Sequence, residues 1–248
     1  MIRLLLLLLF IYPLPLVAQS SGDDEAALAA IRKLENLLRS ETNISTYRMR
    51  VVTPDWQREM RMESWDDRQR DSFFIRILEP KKDRDTTFLK AAGNLWMYMP
   101  KLERDIRIPP SMMLSSWMGS DFTNDDLVKS SSVVDDYVHK LIAEDRDSIT
   151  IESRPIPEAA VVWDKLVHRI GRDGMPIRAD YYDAKGKLLR VMRFEAVRSI
   201  GGRTIPTRWI IEPTDKPGHR TVMEIEQVKF DAPIPAATFE RANLRRRQ

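Results

Sequence analysis

Tyr47-Arg48-Met49-Arg50-Val51 alternates apolar and charged side chains residue by residue. Glu59-Met60-Arg61-Met62-Glu63 repeats the pattern, Phe73, Ile75 and Ile77 extend it, and Thr87-Phe88-Leu89 and Leu95-Trp96-Met97-Tyr98 follow. A period of two sends successive side chains to opposite faces of an extended chain, so each run reads as a strand with one apolar and one charged face. Thr53-Pro54-Asp55, Asp66-Asp67, Glu79-Pro80, Gly93-Asn94 and Pro100 punctuate the runs as turns. The product is a meander of half-buried antiparallel strands.

Working outward, strand patterns resume over 137–143, 148–153, 162–170, 176–183, 187–198, 204–212 and 220–230, with hairpin turns at Ala184-Lys185-Gly186-Lys187 and Gly201-Gly202. One long helical pattern precedes the strands. From Asp23 to Ser40, Ala27, Ile31, Leu34 and Leu38 recur at spacings of four, three and four, with Asp23 and Asp24 at the start and Arg39 at the end, as the helix dipole favours. A short helix around Ala236 to Asn243 and a basic tail close the chain. Residues 109–132 break the alternation: Pro109-Pro110 leads into Ser111-Met112-Met113-Leu114-Ser115-Ser116-Trp117-Met118-Gly119-Ser120, read as a short helix or lid loop. Thr123 is then a candidate N-cap for a further short helix. The fold class is α+β, mostly antiparallel β: one curved sheet of about 11–12 strands in a single domain over 19–248, without repeats.

The beginning of the chain reads differently. Arg3 precedes an unbroken apolar run, Leu4 to Ile11, then Pro13, Pro15 and the small-residue stretch Ala18-Gln19-Ser20-Ser21. That order describes a secretory signal peptide over 1–18, with cleavage extending to 20, and the run is too short to span ~30 Å of hydrocarbon. Export in soluble form to a cell envelope is therefore expected.

Composition removes whole classes of chemistry. The 248 residues contain no cysteine, which excludes disulfide scaffolds, thiolate metal sites and cysteine nucleophiles. Forty Lys+Arg against 37 Asp+Glu are interleaved, so no stripe for nucleic acid forms. The three histidines, His139, His168 and His219, are far apart in sequence, and no Gly-x-Ser-x-Gly elbow, phosphate loop or His-Glu-x-x-His is present. His139 and His168 read as sheet-surface residues and His219 as a turn residue. Asp121, Asp125 and Asp126 are oxygen donors in one short segment, but without the spacing of a calcium loop they read as helix caps. Neither a catalytic residue, a metal site nor a cofactor emerges, and the expectation is a protein that is not an enzyme.

The positive signal is an excess of adaptable apolar side chains. Met60, Met62, Met97, Met99, Met112, Met113 and Met118, joined by Trp96 and Trp117, come from two strands and the lid-like segment. Methionine is unbranched and polarizable and accommodates ligands of variable shape, an acyl chain among them. An ordinary packed core would use the same residues. A single strongly curved sheet with few helices, however, fills its concavity poorly, and a hollow capped by movable segments is a natural ligand site.

Two stretches carry a resemblance. Gly93-Asn94-Leu95-Trp96-Met97-Tyr98-Met99-Pro100 resembles the Gly-x-x-Leu-Trp-x-Tyr-x-Pro hairpin of LolA-like periplasmic carriers. The run Arg104-Asp105-Ile106-Arg107-Ile108-Pro109, continued by Ser116-Trp117-Met118-Gly119-Ser120-Asp121-Phe122-Thr123-Asn124-Asp125-Asp126-Leu127, is similar to the signature of the outer-membrane lipoprotein-sorting-like family, relatives of LolA. Later pieces, from Tyr137 to the closing Phe239–Leu244, agree. The Trp-Met-Gly-Ser segment belongs to the broader family rather than to LolA proper, and no lid-contacting arginine is carried over.

The resemblance implies an unclosed half β-barrel with a helical lid over a hydrophobic cavity. It also implies a periplasmic carrier of acylated lipoprotein or lipid between inner and outer membrane. Implied partners are an inner-membrane ABC or RND-type transporter, an outer-membrane acceptor and transient contact with the membrane surface. On this reading the lipid-binding positions are Met60, Met62, Phe73, Ile75, Leu95, Trp96, Met97, Tyr98, Met112, Met113, Leu114, Trp117 and Met118. The rival classes are an exported hydrolase or carbohydrate-active enzyme on a curved β scaffold, and a structural envelope protein.

Overall fold

The computed structural model describes residues 20–129, 133–159 and 161–247. The leader assigned to 1–18 lies outside the described residues. Helix α1 (Ser20–Leu38) precedes thirteen strands: β1 (Thr42–Val52), β2 (Gln57–Asp67), β3 (Ser72–Glu79), β4 (Thr87–Ala91), β5 (Asn94–Met99), β6 (Arg104–Arg107), β7 (Tyr137–Glu144), β8 (Ser148–Pro155), β9 (Lys165–Gly171), β10 (Pro176–Tyr182), β11 (Leu188–Ile200), β12 (Arg203–Pro213) and β13 (Arg220–Phe230). Between β6 and β7 stand a 3₁₀ turn (Pro110–Met112) and the short helices α2 (Asn124–Lys129) and α3 (Val133–Asp136). Two 3₁₀ turns, Ala236–Phe239 and Arg241–Arg245, take the place of the single closing helix expected. No described helix is long and apolar enough to cross a membrane.

Every consecutive pair of strands except β6 and β7 forms an antiparallel hairpin, and β1 pairs with β13. The order β6-β5-β4-β3-β2-β1-β13-β12-β11-β10-β9-β8-β7 is thus a ring of neighbours cut once. The cut falls where residues 108–136 leave one edge strand and return to the other. A twisted sheet of this size coils on itself, and the same segment that interrupts the ring is available to cover its opening.

Alternation assigns the faces. Met49 and Val51, Met60 and Met62, Phe73, Ile75 and Ile77, Phe88, Leu95 and Met223 point inward and share one cluster with Trp117 of the interrupting segment. On the outer face of β13, β1 and β2, Glu226 accepts from Arg48 at 2.8 Å and from Arg61 at 2.7 Å. Those pairs are half-exposed to solvent and worth little individually. The expected charged outer face fails over β3–β5. There Phe74, Leu89 and Tyr98 are buried against Phe239 and Leu244 of the chain's end, and Thr87 Oγ1 and Arg76 Nη2 donate to the carbonyls of Leu244 and Arg246, each at 2.8 Å. A strand covered on both sides reads as a continuous apolar run, which is why Phe73-Phe74-Ile75 lacks clean alternation.

Helix α1 lies inside the ring's curvature. Ala27 and Ile31 are buried against Ile151 and Ile170, with Leu34 beside them, and Leu37 reaches Ile205, Ile225 and Val228. At the β11–β12 hairpin Gly201 has φ +58° and a Cβ there would stand 2.7 Å from the Val228 carbonyl oxygen, so glycine is required on two counts.

Candidate functional site

Between α1 and the 108–136 segment the interior is not filled. A cavity of about 390 Å³ is walled by inward residues of β1–β3 and β9–β13, by the last turn of α1 and by the interrupting segment. Its apolar wall includes Tyr47, Met62, Phe73 and Ile75 from one half of the sheet and Leu166, Tyr181, Met192, Phe194, Trp209 and Met223 from the other. Trp117, Phe122 and Leu127 close it from the segment above.

That segment has its own local logic. Ser116 and Thr123 pair as an isolated antiparallel bridge. Between them Met118 and Gly119 both take positive φ, +53° and +75°. Consecutive left-handed residues make the tight reversal that suits a hairpin, and this accounts for Gly119 in the Trp-Met-Gly-Ser motif. The reversal drives the Trp117 ring downward, where it is 2% exposed and meets Phe88 edge-on at 5.4 Å between centroids.

Helix α2 follows with the expected cap. The Asp126 N–H donates to Thr123 Oγ1 at 3.1 Å, and Asp126 Oδ2 accepts from the Thr123 N–H at 2.7 Å, a reciprocal capping box. At the other end of α2, Lys90 Nζ donates to the Val128 carbonyl at 2.7 Å.

Charge fastens the segment to the far half of the sheet. Arg190 of β11 donates through Nη1 and Nη2 to both oxygens of Asp126, at 2.6 and 2.8 Å. The guanidinium lies over the rings of Tyr181 at 4.0 Å and Trp163 at 4.5 Å. Burial alone pushes the Asp126 carboxyl up, but Arg190 and Thr123 outweigh it and hold the group below the usual carboxylate range. Asp121 is tied to β13, accepting from Thr221 Oγ1 at 2.7 Å. Asp121 and Asp126 therefore serve as anchors of the segment, and among the described residues no group of three His, Asp or Glu is placed to hold a metal ion.

The two strand histidines are corrected. His139 and His168 are 3% and 8% exposed, because α1 and the interrupting segment roof the face that a one-sided sheet would leave open. His139 Nδ1 is 2.8 Å from Ser153 Oγ. His168 lines the cavity, and its Nε2 is buried without a hydrogen-bond partner. Burial, with a smaller contribution from His139, depresses the His168 pKa to about 4 from an ordinary 6.5. A depressed folded-state value means that the unfolded chain binds the proton more readily. The folded state is therefore favoured above pH 6.5, and stability falls as pH drops from 6.5 through 4, by about 3 kcal/mol for this group. His168→Leu should flatten that part of the profile of stability against pH, measured by urea unfolding at pH 7 and pH 4.5. An unchanged slope in the variant would assign the acid lability elsewhere.

The sequence-predicted positions separate by face. Met62, Phe73, Ile75 and Trp117 line the cavity. Met60, Leu95, Met97, Met113 and Met118 belong to the same interior cluster without reaching it. Trp96 and Tyr98 point the other way: they pack on the outer face with Phe239 and Leu244, and Arg241 lies 3.9 Å above the Trp96 ring. Four consecutive residues of a strand cannot share one face, so the run 94–99 divides. Met112 and Leu114 are 46% and 61% exposed on the outside of the segment. Sequence reasoning missed the contribution of β10–β13. Alternation at Met192–Phe194 and at Trp209–Ile211 was the available signal. It also missed Glu35, Arg39 and Asp66, whose side chains enter the wall at the end of α1.

Comparison with known proteins follows from this architecture. A family model described as "Uncharacterized protein" matches residues 69–246. No curated protein matches the chain. Three solved structures share the fold. A DUF1329 family protein from Desulfovibrio piger is 21% identical with a TM-score of 0.81, covering 90% of this chain and 99% of its own. A domain from Vibrio parahaemolyticus described as an outer membrane lipoprotein-sorting protein is 21% identical at 0.76, covering 90% and 100%. A LolA superfamily protein from Nitrosomonas europaea is 23% identical at 0.73, covering 88% and 98%.

Proposed function

We propose that this chain, which belongs to the family matched over residues 69–246 and has a LolA-like fold, is a non-enzymatic carrier that shields the apolar part of a lipid or lipoprotein. The observation that carries the reading is the cavity of about 390 Å³, walled by both halves of an unclosed sheet and closed by the segment that bridges its cut. The names of the Vibrio and Nitrosomonas structures, together with the signal-peptide pattern of residues 1–18, support work in the periplasm between inner and outer membrane.

Transfer of an acyl chain into such a wall gains ~0.8 kcal/mol per buried CH₂. A chain of a dozen or more methylenes then leaves slowly on its own. Loading and release call for partners that favour the open segment, a membrane transporter on one side and an acceptor on the other. Titration with the apolar probe 1-N-phenylnaphthylamine tests the reading: one probe per chain, saturable and displaced by long-chain lipid, is expected. Fluorescence that rises linearly without saturation would overturn it.

A further inference from the structure

The cavity wall is not uniformly apolar: besides Arg190, Asp126 and His168 on the far side, a second polar group gathers at one end. Glu35 and Arg39, one turn apart at the end of α1, meet Ser45 of β1 and Ser64 and Asp66 of β2 there. Ser45 and Ser64 are directly opposed across the β1–β2 ladder. Arg39 gives Nε and Nη2 to Asp66 at 2.6 and 2.7 Å, which leaves its buried Nη1 without a hydrogen-bond partner. Both carboxylate oxygens of Glu35 are also buried without a hydrogen bond: Arg68 Nη2 stands 3.2 Å from Oε1 as an ion pair only, and Arg68 Nη1 donates to Asn36 Oδ1 at 2.8 Å. Leaving a buried donor or acceptor unpaired is unfavourable, the more so for charged groups. Three such atoms at one end of a hollow form an incomplete arrangement that a ligand completes. In the opposite wall Arg190 is held by Asp126 in two bonds and keeps one buried nitrogen, Nε, without a partner, but no unpaired carboxylate stands beside it.

Charge and size narrow the ligand. Two guanidinium groups, Arg39 and Arg68, balance two carboxylates, Glu35 and Asp66, and the exposed Asp71 and Asp135 add to their field from outside. An ionised head would bring an unbalanced charge into this poorly solvated end. A hydroxyl or ester pays nothing of that kind and both donates and accepts. The volume, about 390 Å³, sits near the lower end of the ~300–1,000 Å³ of small-molecule sites and suits a single-chain amphiphile.

We infer that the end of the cavity formed by Glu35, Arg39, Ser45 and Ser64 is a subsite for the uncharged, hydroxyl- or ester-bearing head of a single-chain amphiphile, whose apolar part lies toward Met62 and Ile75. The subsite rests on the carrier reading. Arg39 Nη1 donates to the head, Glu35 accepts from its hydroxyl, and the serine pair lines the floor.

Displacement of 1-N-phenylnaphthylamine from the full mature chain by monoolein, oleate and oleylamine tests this. Monoolein should displace the probe at least about tenfold more tightly than either charged analogue. Glu35→Leu and, separately, Ser64→Val should weaken monoolein by about tenfold while probe affinity stays within about twofold. Retained probe binding also reports that each variant is folded. Equal affinities for the three lipids, or monoolein indifferent to both substitutions while the probe still binds, would overturn the subsite and leave the carrier standing. No probe binding by the wild-type chain would remove both.

Discussion

Arg190→Met should raise amide exchange across residues 113–129 by roughly a hundredfold while β1, β2, β12 and β13 exchange as in the wild type. The guanidinium is 5% exposed and the Asp126 carboxylate 14%, so neither partner is compensated by solvent when the other is removed. Breaking a buried pair of this kind costs about 3–5 kcal/mol. The Thr123 bonds to Asp126 remain, which favours the lower end, and ~3 kcal/mol corresponds to about two decades in an opening equilibrium. The loss is local because the pair joins the interrupting segment to β11 and forms no part of the strand ladder. Arg190→Met combined with Asp126→Asn, which removes both charges, should recover much of the protection. Exchange that rises equally in the sheet would make the pair a global stabiliser rather than a latch.

Trp117→Asp should abolish saturable probe binding and leave the sheet's far-ultraviolet spectrum intact. Trp117 is 2% exposed, spans the interior cluster and the cavity wall, and meets Phe88 edge-on. An indole buries about 150–250 Å², which at ~25 cal/mol per Å² is worth about 4–6 kcal/mol. An ionised carboxylate cannot occupy the same place and drives the 116–123 reversal outward. Trp117→Phe keeps the aromatic edge contact and should retain most of the affinity. Full probe binding by Trp117→Asp would show that the segment is not part of the wall.

Much of the architecture is legible because it depends on local pattern. Arg48 and Arg50 between Tyr47, Met49 and Val51 reveal a strand and its inner face, and Gly201-Gly202 reveals the hairpin between β11 and β12. The acidic, capped start of α2 is equally local, since Thr123 and Asp126 act within one turn. What the pattern does not hold is what covers each face. Phe239 and Leu244 reach Phe74 and Tyr98 from more than 140 residues away, and α1 roofs the strands that carry His139 and His168. Those contacts turn Trp96 and Tyr98 into outer-face residues and make the histidines interior. The same limit hid the polar end of the cavity: Glu35 and Arg39 read as an ordinary helix terminus, and only the curvature of the sheet brings Asp66 and Ser64 against them.

The most direct test of the carrier reading is native mass spectrometry of the chain, made from its full 248-residue sequence in a Gram-negative host and purified without detergent, followed by lipid extraction of the same sample. One bound amphiphile per chain is expected, of a mass matched in the extract and lost from Trp117→Asp. Protein of bare polypeptide mass throughout, with no lipid in the extract, would contradict it.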